Sequence, residues 1–324
     1  MSQTVRPRIV ISRCIEHAAC RWNGLIIRSD AVKILRPFVE FLPVCPENDC
    51  GLGCPRDPVR VVETGGELRL LQPATGRDCT GIMQDFCAEF LDGVGEDVDG
   101  FLLKSRSPSC GAQDVKIYAR AESRGAKRKG RGFFGAAVLD RFGHLPVEDE
   151  GRLRNYSLRE EFLTAIWTRA RFRAARRRGK MRDLVAFHAD HKFLLQARGE
   201  NEMRALGRVV ANRTKRRPAE VFADYGERLG GLLRRAPSVK RNINVLQHAM
   251  GFFKKGLSSA EKAYFLKTLE AYRRGRVPMS SPAGVIRAWI ARFDQKYLAA
   301  QRFFEPYPGE LVSVTDSGTG RKLR

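Results

Sequence analysis

Apolar positions change rhythm once along this chain. Over the first 110 residues they gather in short runs. "RIVIS" (8–12), "FLPVC" (41–45) and "GFLLKS" (100–105) read as buried strands, and "VRVVE" and "LRLLQP" are strand-like. Between them, "DAVKILRPFVEF" (30–41) and "CTGIMQDFCAEFL" (79–91) carry helical spacing. Strands alternating with helices predict an α/β domain built on a parallel, Rossmann-like, doubly wound sheet.

From residue 155 onward strand signals stop. "SLREEFLTAIWTRARFRAARRRGK" opens on a capping-box pattern, Ser157 with Glu160. Further helices are expected at about 183–198, 200–212, 218–235, 239–253, 258–273 and 283–300, punctuated by Gly, Pro and Ser. The chain therefore divides into an α/β domain, 1–154, and an all-α domain, 155–324. Its polar tail from about 313 is expected to be disordered.

Cysteine and charge divide along the same line. All eight cysteines (14, 20, 45, 50, 54, 79, 87 and 110) fall in the first 110 residues. No apolar leader opens the chain and no run approaches 18 apolar residues, so a soluble, cytoplasmic protein with no membrane partner is expected. Thiols stay reduced in that compartment, which points a cysteine cluster towards metal binding or catalysis. Residues 1–150 carry 21 Lys+Arg and 21 Asp+Glu, whereas 151–324 carry 38 and 15, so the whole excess of +23 lies in the helical half. Such an excess favours a polyanion as partner.

Cys14 follows the first predicted strand, Cys45 closes the second, and Cys110 lies in the loop after the third. Ligands of open α/β sheets collect beyond the carboxyl ends of the strands, so the three are expected to meet. Cys79 and Cys87, eight apart on a predicted helix, read as core. Three thiolates on separate loops suit zinc or an iron–sulfur cluster, and spacing alone does not choose between them.

"ISRC", "VCPE", "GLGCPR" and "LKSRSPSCG" resemble the signatures of the thiouracil desulfidase (TudS-like) family, and "VKIYAR" and "LPVEDEGRL" continue the pattern. "LVAFHADHKFLLQA", "NVLQHAMGFFKKGLSSAEK" and "YLAAQRFFEPYPGEL" resemble a YbgA-like helical domain. This fusion is similar to the RudS-type tRNA 4-thiouridine desulfidases, which implies an enzyme carrying a 4Fe–4S cluster and acting on tRNA. The resemblance implies Cys14, Cys45 and Cys110 as cluster ligands, Glu47 as the catalytic carboxylate and Ser107 as a hydrogen-bonding or proton-relaying hydroxyl. It further implies that sulfur at C4 of the ring binds the open iron, that water activated by Glu47 attacks C4, and that hydrosulfide leaves. Cys50 and Cys54 depart from the family pattern, as does "RWNGLI", and Cys20 is a further candidate ligand.

The helical half offers basic clusters for RNA. "RFRAARRRGKMR" (171–182) holds seven basic residues in twelve. Arg176, Arg177, Arg178, Lys180, Lys192, Lys254 and Lys255 are the expected phosphate contacts, with neighbouring aromatics to stack on unpaired bases. "KRKGRGFF" (127–134) reads as a basic loop able to reach the same RNA. His188 and His191, three apart, are expected to pack or to contact phosphate rather than to bind metal. Two other readings stay open: a non-enzymatic RNA-binding protein stapled by zinc, and a desulfidase of free thiouracil bases.

Overall fold

The computed structural model describes residues 5–95 and 97–312. The tail from 313 lies outside these residues. They form two compact units, the first ending at Ala170 and the second being Arg171–Val312. Among the described residues no helix is long and apolar enough to cross a membrane.

The first unit runs β1 (Arg8–Ser12), α1 (Asp30–Leu35), β2 (Glu40–Val44), β3 (Arg60–Thr64), β4 (Glu67–Gln72) and β5 (Arg77–Asp78). It continues through α2 (Thr80–Val94), β6 (Gly100–Leu103), β7 (Val115–Tyr118), β8 (Arg128–Gly130), α3 (Phe133–Phe142) and β9 (Val147–Asp149). The expected parallel sheet is present, in the order β2-β1-β6-β9, with Ile9 opposite Phe41 on one side and Gly100 on the other. Ile9, Val10 and Ile11 are at most 1 % exposed and every residue of β6 is buried, the mark of parallel strands covered on both faces. A Cβ added at Gly100 would stand 2.8 Å from Pro146 O, so glycine permits that close approach.

The strand-like "VRVVE" and "LRLLQP" lie outside that sheet. They form the antiparallel pair β3–β4 of a second sheet, ordered β5-β4-β3-β7-β8. The reason is local. Gly65 and Gly66, at φ +61° and +87°, make the two-residue connection between Thr64 and Glu67, a turn that folds a chain straight back on itself. One core joins both sheets to the helices, with Phe101 of β6, Val61 of β3, Met83 of α2 and Phe134 of α3 all fully buried. The helix expected over 30–41 is shorter than its apolar pattern. It stops at Leu35, because Pro37 has no N–H to donate and residues 40–44 are drawn into β2 beside β1.

Helix α4 (Tyr156–Arg178) contains the boundary between the units. Its N-terminus is capped differently from expectation. Leu158 N donates to Asn155 Oδ1 at 3.0 Å, so Asn155 holds the capping position two residues before Ser157. A reciprocal capping box does occur, between Ser258 and Glu261 at the start of the helix Ser259–Arg273. The second unit continues through α5 (Met181–Arg198), α6 (Glu200–Ala211), α7 (Pro218–Leu233), α8 (Val239–Gly251), α9 (Ser259–Arg273), α10 (Ser280–Arg292) and α11 (Lys296–Ala299). The helix expected over 283–300 is two. Asp294 takes a left-handed conformation (φ +47°) after α10, and Gln295 Oε1 then accepts from Tyr297 N at 3.3 Å to start α11. Leu195, Leu206, Tyr225, Val245, Phe265 and Ile286 meet in this unit's core, each contributing on the order of 1.5–3 kcal/mol by burial.

Candidate active site

Cys14, Cys45 and Cys110 line one cavity of about 320 Å³ at the carboxyl ends of β1, β2 and β6. Each loop is held by backbone hydrogen bonds. Arg13 N donates to Val44 O at 2.7 Å, and Ile27 N donates to Cys14 O at 2.7 Å. The Cys110 loop is fixed by α3, whose first N–H groups have no partner inside the helix. Phe133 N donates to Pro108 O at 3.1 Å and Gly135 N to Ser109 O at 3.0 Å. A Cβ at Gly135 would lie 2.4 Å from Gly111 O, so this packing requires glycine.

The cavity is crowded with buried thiols. Burial first, and then Cys45, push the Cys14 thiol up to about 12. Burial and then Cys14 raise Cys110 well above the ordinary thiol range. Cys20 also lines the cavity, and its hydrogen bond to Cys45, followed by burial, raises it as well. That same bond, aided by Asn48 N–H and the Arg56 charge and opposed by burial, holds Cys45 down at about 7. The group therefore resists ionising together unless positive charge enters among the sulfurs. Four buried thiols on three loops, Cys14 and Cys20 sharing the first, make a soft, sulfur-rich donor set that fits an iron–sulfur cluster with three protein ligands. Among the described residues, no three His, Cys, Asp or Glu side chains converge as a single metal ion would need. A cluster gives each cysteine its own iron and asks for no such point.

Glu47 lies on the cavity wall two residues after Cys45. Its Oε2 accepts from Arg56 Nε at 2.9 Å and also from Arg56 Nη2, and its Oε1 accepts from Ser109 Oγ at 2.9 Å. Ser107 Oγ stands 3.5 Å from Glu47 Oε1 and accepts from Ser109 N and Cys110 N at 3.2 and 3.1 Å. Ser107 is thus first a turn hydroxyl that shapes the cysteine loop, and Ser109 is the closer partner of Glu47. Arg56 Nη1 donates to Cys20 O at 3.1 Å and Gly53 O at 2.7 Å, tying both loops to the carboxylate. Burial draws Arg56 down, but Glu47 outweighs it and the guanidinium is raised overall. Sequence reasoning gave no role to Arg56, Ser109 or Lys104. The first two stand inside "GLGCPR" and "SPSCG", so their proximity to Cys54 and Cys110 was the available signal.

The remaining cysteines separate cleanly. Cys50 packs towards the core that holds Cys79 and Cys87, and burial pushes its thiol up to about 11. Cys54 is exposed and donates to Ala19 O and Arg21 O at 3.3 and 3.2 Å. Neither lines the cavity. Cys79 and Cys87 are buried core residues, as expected.

A second cavity of about 590 Å³ shares Pro58, Val59, Arg106 and Pro108 with the first, and adds Arg60, Lys116 and Lys129. Arg106 is exposed and takes a left-handed conformation (φ +57°) at the shared wall. The expected basic loop 127–134 is instead β8 with the start of α3. Lys127 and Arg128 both pair with Glu63, at 2.7 and 2.9 Å, and Lys129 pairs with Asp114 at 3.2 Å. Those carboxylates come from distant parts of the chain and answer charge that looked free in the sequence.

In the second unit Arg176, Arg177, Arg178 and Lys180 are exposed where α4 ends, with Arg178 paired to Asp183 at 2.8 Å. Lys192, Lys254 and Lys255 are also exposed. Arg171, from the same basic run, is half-buried and donates to Pro306 O. His191 is buried against Phe187, with ring centroids 4.0 Å apart, and His188 Nδ1 lies 3.0 Å from Tyr225 OH, so both histidines pack.

The fold and cavity define a parallel α/β unit with a cysteine-lined site, joined to a helical unit. Residues 9–150 match the 2-thiouracil desulfurase family and residues 192–308 match a protein family of unknown function, DUF1722. The chain belongs to the 2-thiouracil desulfurase family through its first half and carries a DUF1722 domain in its second. The uncharacterized protein YbbK of Bacillus subtilis (strain 168) is 30 % identical over 147 residues, 44 % of this chain and 95 % of that protein. The uncharacterized protein YbgA of Escherichia coli (strain K12) is 28 % identical over 136 residues, 42 % and 80 % of the two chains. A solved structure of the [4Fe-4S]-dependent thiouracil desulfidase TudS is 28 % identical, with a TM-score of 0.38, over 46 % of this chain and 93 % of that one. The resemblance read from the cysteine motifs and from the helical half is borne out.

Proposed function

We propose that this protein removes sulfur from 4-thiouridine in tRNA, leaving uridine and hydrosulfide. The carrying observation is the meeting of Cys14, Cys45 and Cys110 with Glu47 around a single cavity in a 2-thiouracil desulfurase domain. A 4Fe–4S cluster held by those three cysteines supplies a Lewis-acidic iron with affinity for a soft sulfur ligand. The chain's own residues do the rest. Glu47 takes a proton from water so that its oxygen adds to C4 of the ring, while Arg56 and Ser109 hold the carboxylate in place. Water's oxygen replaces sulfur at C4, the C–S bond breaks, and the electron pair leaves with hydrosulfide, so no electrons are transferred overall. Lys104 directs its ammonium to Ser105 O, Ser105 Oγ and Glu150 Oε1 at 2.8, 2.9 and 2.7 Å. With those donors engaged and Glu150 answering its charge, it fixes the turn that follows β6 rather than supplying a proton.

A nucleotide fits better than a free base because the cationic second cavity shares a wall with the first, and a ribose-phosphate has somewhere to lie. The test is anaerobic incubation of iron-reconstituted protein with 4-thiouridine-containing tRNA and, separately, with free 4-thiouracil. Loss of thiouridine from tRNA with matching hydrosulfide is expected. Turnover of the free base alone would overturn the tRNA reading, and a colourless, zinc-loaded, inactive protein would favour a non-enzymatic one.

A further inference from the structure

One cavity of the second unit belongs to no site described above. At about 1050 Å³ it stands at the top of the range for small-ligand pockets, about 300–1,000 Å³. Helices α5 and α6, the connection at 212–216, the end of α8 and α11 contribute to it. Five cations line it, Lys192, Arg204, Arg208, Arg213 and Arg216, against one carboxylate, Glu200. Arg204 pairs with Glu200 at 2.6 Å and Arg216 with Asp224 at 3.0 Å. Among the described residues, Lys192, Arg208 and Arg213 have no carboxylate partner. Positive charges gathered on one concave wall repel each other and focus a field that attracts an anion.

The other wall is aromatic. Phe252 and Tyr297 are 48 % and 37 % exposed, an unusual state for two large rings in contact. They stack with centroids 5.4 Å apart and planes 18° from parallel. Phe193 buttresses both edge-on, at 6.4 and 6.2 Å. The cationic rim is also fixed. Asn212 adopts a left-handed conformation (φ +39°) at the end of α6, and its amide brackets the Arg216 backbone by two hydrogen bonds of 2.9 Å. That bracket holds the turn carrying Arg213 before any ligand arrives.

We propose that this cavity binds a single-stranded segment of RNA, with an unpaired base on the Phe252–Tyr297 pair and its phosphates on Lys192, Arg208 and Arg213. Stacking surfaces beside a cationic track are what unpaired nucleic acid requires, since every base offers a π-face and every linkage a negative charge. The three cations without a carboxylate partner, Lys192, Arg208 and Arg213, exceed the need of one phosphate, which favours several linked nucleotides over a free one. An acidic peptide would use the charge and leave the rings in water. The identification of the RNA as the tRNA substrate rests on the desulfidase reading, whereas the binding itself does not.

The test uses the full-length protein without iron and a fluorescent, unthiolated oligouridylate, read by anisotropy beside a duplex RNA and inorganic polyphosphate. Phe252→Ala and Tyr297→Ala should each weaken the oligouridylate by roughly tenfold. Tyr297→Phe should retain parental affinity, which separates loss of the ring from loss of the fold. Arg208→Gln and Arg213→Gln should each flatten the log affinity–log salt slope by about 0.7. Polyphosphate binding should survive both ring variants. Unchanged oligouridylate affinity in the ring variants, an equal loss for polyphosphate, or tighter binding of duplex would overturn the proposal. Ring-dependent oligouridylate binding, beside iron-reconstituted protein that leaves 4-thiouridine-containing tRNA unchanged, would instead sink the enzymatic reading and leave this one standing.

Discussion

Arg56 Nε donates to Glu47 Oε2 at 2.9 Å, with the two side chains 5 % and 12 % exposed. A carboxylate held this way keeps one orientation towards the cysteine-lined cavity. Arg56→Ala would leave Glu47 in a largely buried position without its counter-charge. It should lower stability by about 3–5 kcal/mol, read as a shift in the urea midpoint. A midpoint equal to the parent's would mean that water reaches Glu47 freely and that the pair does not organise the site.

Glu47→Gln keeps the shape of the side chain and the hydroxyl contact while removing the base. Visible absorbance of the reconstituted protein should be retained. Turnover of the thiolated substrate should fall by about 100- to 10,000-fold. Parental turnover with full iron content would reduce Glu47 to a loop anchor for Arg56 and Ser109.

Serine replacements distinguish the two groups of cysteines. Cys14→Ser, Cys45→Ser and Cys110→Ser should each lose iron. Cys50→Ser, Cys79→Ser and Cys87→Ser should keep it, because those thiols face the core. Iron measured against protein checks both halves, and full iron in Cys45→Ser would remove that residue from the ligand set.

How much of this was legible depended on the range of the contacts. Cys14, Cys45 and Cys110 could be placed because each ends or follows an apolar strand, and parallel strands bring their carboxyl ends together. The β3–β4 hairpin was missed because two glycines outweigh the apolar run beside them. The Arg56–Glu47 bond spans nine residues across a turn whose shape no local pattern reveals. Ser107 was preferred to Ser109 on motif position, yet the backbone of that turn takes up the Ser107 oxygen. Counting cations overstated residues 127–134, since Glu63 and Asp114 pair with three of them and offset two charges. It also passed over Arg208, which shares a cavity with Phe252 and Tyr297 only through the packing of the helices.

His191 makes acid stability testable. Burial, with Arg171, Arg302 and His188 nearby, holds its imidazole down at about 3, whereas an unfolded histidine titrates near 6.5. Its Nδ1 is bonded to Phe187 O at 2.8 Å and its Nε2 has no partner. The folded protein therefore binds fewer protons than the unfolded chain between these values. Stability is present above about 6.5 and should be lost as pH falls towards 3, at up to about 1.4 kcal/mol per pH unit. His191→Leu should flatten the fall in urea midpoint between pH 7 and pH 5. An identical slope in parent and variant would place the acid sensitivity elsewhere.

The basic run at the end of α4 gives the last prediction. Arg176, Arg177, Arg178 and Lys180 are exposed together, and a polyanion near them should release counterions. Arg178 differs from Lys180, because Asp183 already answers its charge at 2.8 Å. Neutralising all four should weaken tRNA binding and flatten the log affinity–log salt slope. Each phosphate left without its cation accounts for about 0.7–0.9 of slope. Restoring Arg178 alone should recover less slope than restoring Lys180 alone. Desulfuration of a free thiouracil base, where present, should not change, since these residues lie outside the cysteine-lined cavity. The measurement is tRNA affinity at several salt concentrations for the parent, the quadruple variant and the two single restorations. A quadruple variant with the parental slope would show this run to be a solvated helix end and leave RNA binding to Lys192, Arg208 and Arg213.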